Sequence, residues 1–265
     1  MPHKTDHWRN ILNKNRPKLT ILVCLCFLAL AGLACNSTSS EQTPVANAQN
    51  AAPASNAAAA STSTGAMKDI SGNYTVSGQN EGGGGEYGGD LNVTKRDDVY
   101  QFSWKSGTNQ YDGVGVQAGN SVAASFIEGT DGKGCGVVLY QIGANGNLDG
   151  KAGYWGVNQA ETEKATRTGG SDLEGTYDVS GSNTGGKTYT GKLNVKKEGA
   201  GYRFAWTTGE NFNGFGIRGA DMVAVGLGGS NCGFVGYDIK PDGTLDGKWG
   251  SQGTTSVGTE IAKKK

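Results

Sequence analysis

Histidine is nearly absent from this 265-residue chain. Its only two histidines, His3 and His7, lie within the first ten residues. The rest of the sequence therefore contains no Ser-His-Asp or Cys-His catalytic set and no histidine-based metal site. Neither a serine nor a cysteine has a recognisable activating partner. We predict a non-catalytic protein with no catalytic residue, no cofactor and no metal ligand.

Positive charge is scarce once the N-terminus is set aside. Residues 1–34 hold five of the 24 basic and one of the 24 acidic residues, so 19 basic and 23 acidic residues remain, a net charge of −4. No basic patch is left that could follow a phosphate backbone. We therefore expect no nucleic-acid partner.

Residues 1–34 have the features of an export signal. Five basic residues precede an apolar run that starts at Leu19 and ends in "LALAGLAC" at Cys35. The run, 16 residues to Ala34, is shorter than the roughly 20 residues that span a bilayer. It resembles a bacterial lipoprotein signal, which implies lipidation of Cys35, membrane attachment through that lipid and a place in the cell envelope, at the outer membrane. Cleavage near Ala34 and secretion is the alternative.

Residues 35–67 are poor in charge and contain no aromatic side chain. They consist mostly of Ser, Thr, Ala, Asn, Gln and Pro. Such a segment cannot bury enough apolar surface to offset its conformational entropy. We predict a disordered tether that holds the folded part away from the membrane.

The remaining sequence is one pattern written twice. "SGNYTVSG" at 71–78 returns as "EGTYDVSG" at 174–181, and "GCGVVLYQI" at 134–142 returns as "NCGFVGYDI" at 231–239. The repeat divides the chain into module 1, residues 68–167, and module 2, residues 168–265. Each module has the size of a small domain.

Both modules alternate large apolar residues with small or polar ones, as in "YQFSW" at 100–104 and "YRFAW" at 202–206. A period of two is typical of half-buried strands, and no helical period is present. Gly, Asn and Asp separate about eight strand-length segments per module, which suits a small closed up-and-down barrel. The sequence therefore predicts an all-β fold of two tandem antiparallel meander modules. A β-sandwich is the alternative for each module.

Four short patterns recur over residues 72–165 and 175–262: G-x-Y-x-V-x-G, C-G-x-V-x-Y, an L-x-G turn and a closing T-E-x-A. With them the modules resemble Gly-rich repeats of bacterial lipoproteins and secreted proteins, some of which are labelled fibronectin-binding. The predicted anchor, the tether and the duplication favour a binding or adhesion protein of the cell envelope. We expect its two modules to gain effective concentration on one partner, an extracellular matrix or envelope protein. The resemblance assigns no binding residues. A barrel that carries a small apolar ligand is the alternative.

Tryptophans are candidates for binding. Trp104 and Trp206 occupy matching positions, so we expect both in the cores. Trp155 and Trp249 have no counterpart in the other module, and Ala152 stands where module 2 has Trp249. We therefore take Trp155 and Trp249 as candidate partner-binding residues.

Two further features resemble functional groups. Glu163 and Glu260 match in the last strand of each module, but no other catalytic group accompanies them, so we expect solvated strand residues. "NGNLDG" at 145–150 and "DGTLDG" at 242–247 place oxygen side chains as in a calcium loop, without its closing glutamate. We expect hairpin turns at both segments, with a weak calcium site as the alternative.

Cys135 and Cys232 also match between the modules. On the alternate face, 136–142 and 233–239 share Gly, Val, Tyr and Ile, whereas the face of each cysteine varies. The shared face should be the core, which places the cysteines on the outer face. If Cys35 takes a lipid, we expect Cys135 and Cys232 to pair in an oxidising compartment and lock the modules back to back, or to lie under a module interface. Two buried, unpaired thiols are the alternative.

Overall fold

A computed structural model describes residues 67–265 of the chain. The predicted signal peptide, Cys35 and all but the last residue of the predicted tether lie outside the described residues. The described part consists of sixteen β-strands and a single 3₁₀ turn, Glu81–Gly83. None of it forms a helix with the length and hydropathy needed to cross a membrane.

Eight strands come from each module. Those of module 1 are β1 (Gly72–Gln79), β2 (Glu86–Arg96), β3 (Val99–Ser106), β4 (Asn109–Ala118), β5 (Ser121–Glu128), β6 (Cys135–Ile142), β7 (Leu148–Tyr154) and β8 (Glu161–Ser171). Those of module 2 are β9 (Glu174–Ser182), β10 (Thr188–Glu198), β11 (Gly201–Thr207), β12 (Asn211–Arg218), β13 (Met222–Gly228), β14 (Gly233–Ile239), β15 (Leu245–Ser251) and β16 (Gly258–Lys264).

The strands close two antiparallel eight-stranded barrels. Barrel A contains β1–β5 and β14–β16, and barrel B contains β6–β13. The all-β class and the closed barrel are therefore confirmed, and the sandwich alternative is wrong.

The barrels do not coincide with the sequence modules, because the modules exchange their last three strands. Strand β5 pairs with β14, with Val122 opposite Tyr237, and β13 pairs with β6, with Val223 opposite Tyr140. Ranges 68–167 and 168–265 thus delimit sequence repeats, and each repeat contributes to both barrels. The exchange is possible because β6 and β14 present the same Val, Tyr and Ile to a barrel interior. Barrel B as a whole is inserted between β5 and β14 of barrel A.

Each barrel encloses its own apolar core. In barrel A, Phe102 stacks on Tyr237 with ring centroids 6.5 Å apart, and in barrel B Phe204 stacks on Tyr140 at 6.0 Å. These side chains come from the alternating positions of their strands, as the period of two requires. Trp104 and Trp206 lie in the two cores, as predicted.

A third apolar layer lies between the barrels and is here called the inter-barrel layer. It is formed by the outer faces of strands that also face a barrel interior, and it includes Val116, Leu139, Phe215 and Phe234. Strands β4–β6 and β12–β14 are therefore buried on both faces, with consecutive buried positions in each. Burial of this layer joins the barrels through the hydrophobic effect.

A disulfide between Cys135 and Cys232 lies where the chain passes between barrels. Cys135 begins β6, Cys232 immediately precedes β14, and their Cα atoms are 5.7 Å apart. Both residues are buried, at 3% and 6% exposure. The predicted pairing is confirmed, and so is the core position of the opposite face, where Tyr140 and Tyr237 are fully buried.

Both candidate calcium loops are hairpin turns. Gly146 and Gly243 adopt positive φ, at 75° and 87°. The side chain of Asn145 accepts a hydrogen bond from the backbone N–H of Asn147, and Asp242 accepts one from Thr244. The turn prediction is thus confirmed, and among residues 67–265 no three Asp, Glu, His or Cys side chains are grouped so that they could hold a metal.

Candidate functional site

Each barrel encloses one glutamate. Glu260 on β16 is only 5% exposed inside barrel A, and Glu163 on β8 is only 7% exposed inside barrel B. The prediction that both are solvated is wrong. Glu163 alternates with Ala165, and Glu260 with the buried Ala262, so each carboxylate shares the inward face of its strand.

Three neutral donors surround the carboxylate of Glu260. Its Oε1 accepts hydrogen bonds from Trp104 Nε1 at 3.0 Å and from the hydroxyl of Tyr237, and its Oε2 accepts one from the hydroxyl of Tyr87 at 2.9 Å. The donors stand on β2, β3 and β14. The ion pairs within residues 67–265 do not include Glu260. Hydrogen bonds alone therefore compensate this buried acid.

Barrel B repeats the arrangement around Glu163. Oε1 accepts from Trp206 Nε1 at 3.0 Å and from the hydroxyl of Tyr140, and Oε2 accepts from the hydroxyl of Tyr189 at 3.0 Å. Because Trp206, Tyr140 and Tyr189 match Trp104, Tyr237 and Tyr87 in the repeat, the set of one acid and three donors belongs to both modules. In each barrel the acid and its three donors come from both modules, because the modules exchange their last three strands.

Burial controls the protonation of this group in barrel A. Burial raises the pKa of Glu260, and the hydrogen bonds from Tyr237, Trp104 and Tyr87 oppose that rise. Burial, followed by the neighbouring carboxylate, raises the pKa of Tyr237 well above its ordinary value and that of Tyr87 in the same direction. Both phenols therefore stay protonated and serve as donors.

A cavity of about 300 Å³ opens above Glu260 in barrel A. Six aromatic side chains line it together with the carboxylate, and they are Tyr87, Trp104, Tyr111, Phe126, Tyr237 and Trp249. Exposed Asp90, Lys105 and Asn109 belong to the polar part of its lining. The cavity thus combines an apolar wall with one deep acidic group.

The aromatic rings of this wall meet in edge-to-face or tilted contacts. Phe126 lies at the centre, with ring centroids 5.5 Å from Trp104, 6.0 Å from Tyr111 and 6.3 Å from Trp249. Tyr87 contacts Trp249 at 6.3 Å and 73°. The indole N–H of Trp249 is buried and has no hydrogen-bond partner among the described residues. The wall therefore combines ring-to-ring contacts with one buried indole N–H that has no partner among the described residues.

Barrel B arranges its aromatic side chains differently in the matching region. Phe212 stacks on Trp206 with centroids 4.9 Å apart and planes 9° apart, and Tyr154 packs against the core. Burial, followed by Glu161 and Glu163, raises the pKa of Tyr154 to about 12. Module 2 has Ser251 at the position of Tyr154, and Trp249 at the position of Ala152. The two barrels therefore share the buried glutamate and its three donors, and they differ in the aromatic side chains around this group.

The structure separates the two candidate partner-binding tryptophans. Trp249 is partly buried and lines the barrel A cavity, whereas Trp155 packs against the inter-barrel layer. Sequence reasoning did not select Tyr87, although a signal was present. Tyr87 is four residues before Leu91 on the same strand and therefore shares its inward face, as Tyr189 does with Leu193.

Known proteins provide no relative for this site. No family model, no curated protein and no solved structure matches the chain.

Proposed function

We propose that this chain is a non-catalytic binding protein of the cell envelope that holds a small, largely apolar ligand inside barrel A. The observation that carries the proposal is the cavity of about 300 Å³ with its aromatic wall and single buried carboxylate. Small-molecule sites are concave and mostly apolar, with a few placed polar groups, and begin at about this volume.

The comparison with barrel B supports a binding role for the cavity. An unfilled cavity costs stability because its lining loses packing contacts. The two barrels distribute their side chains differently here, since module 1 has Tyr154 and Ala152 where module 2 has Ser251 and Trp249. Barrel A instead places rings around the space, which is consistent with a ligand that completes the packing.

Adhesion through an exposed surface stays a prediction from the sequence. Among the described residues, the large hydrophobic side chains with substantial exposure are Met67 and Phe212. Hot spots of protein interfaces are commonly built around aromatic and other large anchors. The described surface therefore favours the internal ligand over a matrix or envelope protein as the main partner.

The envelope location in this proposal comes from the signal-like sequence and Cys35. A lipid at Cys35, followed by the tether, would hold barrel A outside the membrane. Replacement of Cys35 by Ala should move the protein from the membrane to the soluble fraction and abolish labelling with a radioactive fatty acid. Unchanged labelling would contradict the anchor.

The binding role can be tested with a variant that fills the cavity. Val76 lines the barrel A cavity, and Val179 is its counterpart in barrel B. The full chain, purified in mild detergent, is titrated by calorimetry with indole and benzyl alcohol, and molecules that copurify are sought by native mass spectrometry. Val76→Phe should abolish binding with little loss of stability, because the ring enters the cavity. Val179→Phe should retain binding and lose stability through overpacking.

Two results would contradict the proposal. One is a wild-type protein that carries no small molecule and binds neither probe. The other is equal binding by wild type and Val76→Phe, since the probes would then occupy a different place.

A further inference from the structure

We propose that barrel A selects small organic ammonium ions, with the ammonium group of the ligand paired to the carboxylate of Glu260. This inference rests on the proposed function and specifies the chemistry of its ligand.

The carboxylate of Glu260 has an unused acceptor position. A carboxylate offers about four acceptor positions over its two oxygens. Oε1 accepts from both Trp104 and Tyr237, whereas Oε2 accepts only from Tyr87 within the described residues. Glu260 is also among the residues that line the cavity. A ligand N–H can therefore donate to Oε2 without displacing any of the three protein donors.

Within residues 67–265, no basic side chain forms an ion pair with Glu260. Its three donors are neutral, and the lysine of the cavity lining, Lys105, is exposed. The acidic residue of the rim, Asp90, pairs with Lys265 at 2.7 Å. A buried charge without an opposite charge is costly, and a cation placed beside it offsets that cost. An anionic ligand would add a second negative charge to the same space.

The aromatic wall favours the same ligand charge. Cations are attracted to the faces of Trp, Tyr and Phe within about 6 Å of the ring centroid. In barrel B, Phe212 covers Trp206 at 4.9 Å, but in barrel A the matching residue Tyr111 contacts Phe126 instead. Trp104, which also donates to Glu260, stacks on Phe102 at 5.3 Å and contacts Phe126 at 5.5 Å, and it is among the residues that line the cavity.

Barrel B provides an internal control for this assignment. Glu163 has the same three kinds of donor, so a purely structural role for the buried acid would be common to both barrels. Only the acid of barrel A lines the aromatic cavity described above. Glu260→Gln and Glu163→Gln are therefore matched variants, in which the side-chain shape is retained and the negative charge is removed.

The test uses benzylamine, benzyl alcohol and benzoate, three probes of similar shape that are cationic, neutral and anionic at pH 7. Calorimetric titration of the full chain should show benzylamine binding about tenfold or more tightly than benzyl alcohol, with benzoate weakest. Glu260→Gln should abolish the preference for benzylamine while benzyl alcohol affinity changes little. Glu163→Gln should leave the preference intact.

The possible failures are distinguishable. If benzyl alcohol binds as tightly as benzylamine to the wild type, the ammonium assignment is wrong and the binding role stands. If no probe binds and no molecule copurifies, both proposals fail. A preference for benzylamine that persists in a folded Glu260→Gln protein would also overturn the assignment. The wild-type ratio decides even if that variant does not fold.

Discussion

Removal of the Cys135–Cys232 bridge should destabilise both barrels together. The bridged residues are 97 apart in sequence, and the segment between them holds every strand of barrel B. In the chain-entropy treatment, opening a loop of this length lowers the free energy of unfolding by about 4.7 kcal/mol. The bridge joins the two points where the chain passes between barrels, so its loss removes the constraint on the segment 135–232 in the unfolded chain.

The assay is urea unfolding of the full chain, followed by tryptophan fluorescence. Cys135→Ala with Cys232→Ala should lose roughly 3–5 kcal/mol, and reduction of the wild type with dithiothreitol should reproduce the loss. Cys35→Ala is the control, because it removes a cysteine outside the bridge and should leave the free energy of unfolding unchanged. A loss below about 1 kcal/mol in the double variant would refute the reasoning, because it would mean that the bridge hardly restricts the unfolded chain.

Three further predictions follow from the packing. Because burial raises the pKa of Glu260, urea titrations should show wild-type stability falling as pH rises from about 4.5 through the folded pKa, and Glu260→Gln should remove this slope. Gly113→Ala should lower the free energy of unfolding by about 2–3 kcal/mol in the same assay, since the added Cβ would lie 1.6 Å from the carbonyl oxygen of Ser125. Gly229→Ala is the control and should be near neutral, because its Cβ would meet nothing within 4 Å. A fragment of residues 68–167 should be a dimer when its mass is measured by light scattering, because its β5 and β6 belong to different barrels. A stable monomer would show instead that β5 and β6 can pair with each other.

The barrel walls could be predicted because their physical signal is local. Phe102 and Trp104 face a core, and the adjacent residues Gln101 and Ser103 are partly exposed. This alternation is the direct consequence of strand geometry, in which successive side chains point to opposite faces. Duplication strengthened the signal, since each strand was present in two versions.

The candidate site was only partly predictable. The inward direction of Glu260 could have been inferred from its alternation with Ala262, but an acid on a barrel's inner face conflicts with the usual exposure of glutamate. Its three donors come from β2, β3 and β14, and such convergence depends on strand register. The cavity was not predictable, because it is the space left after rings such as Trp249 and Phe126 have packed.

Strand exchange was hidden from sequence reasoning by the duplication itself. A register is selected by which residues enter the core, and β6 and β14 supply the same Val, Tyr and Ile at the same spacing. Strand β5 could therefore pair with either strand without any change to the inner face. The difference lies on the outer face, where Val137 and Leu139 of β6 join Phe234 of β14 in the inter-barrel layer. Apolar residues at consecutive positions of these strands indicate burial on both faces, and a barrel that stood alone would have left one of those faces in water.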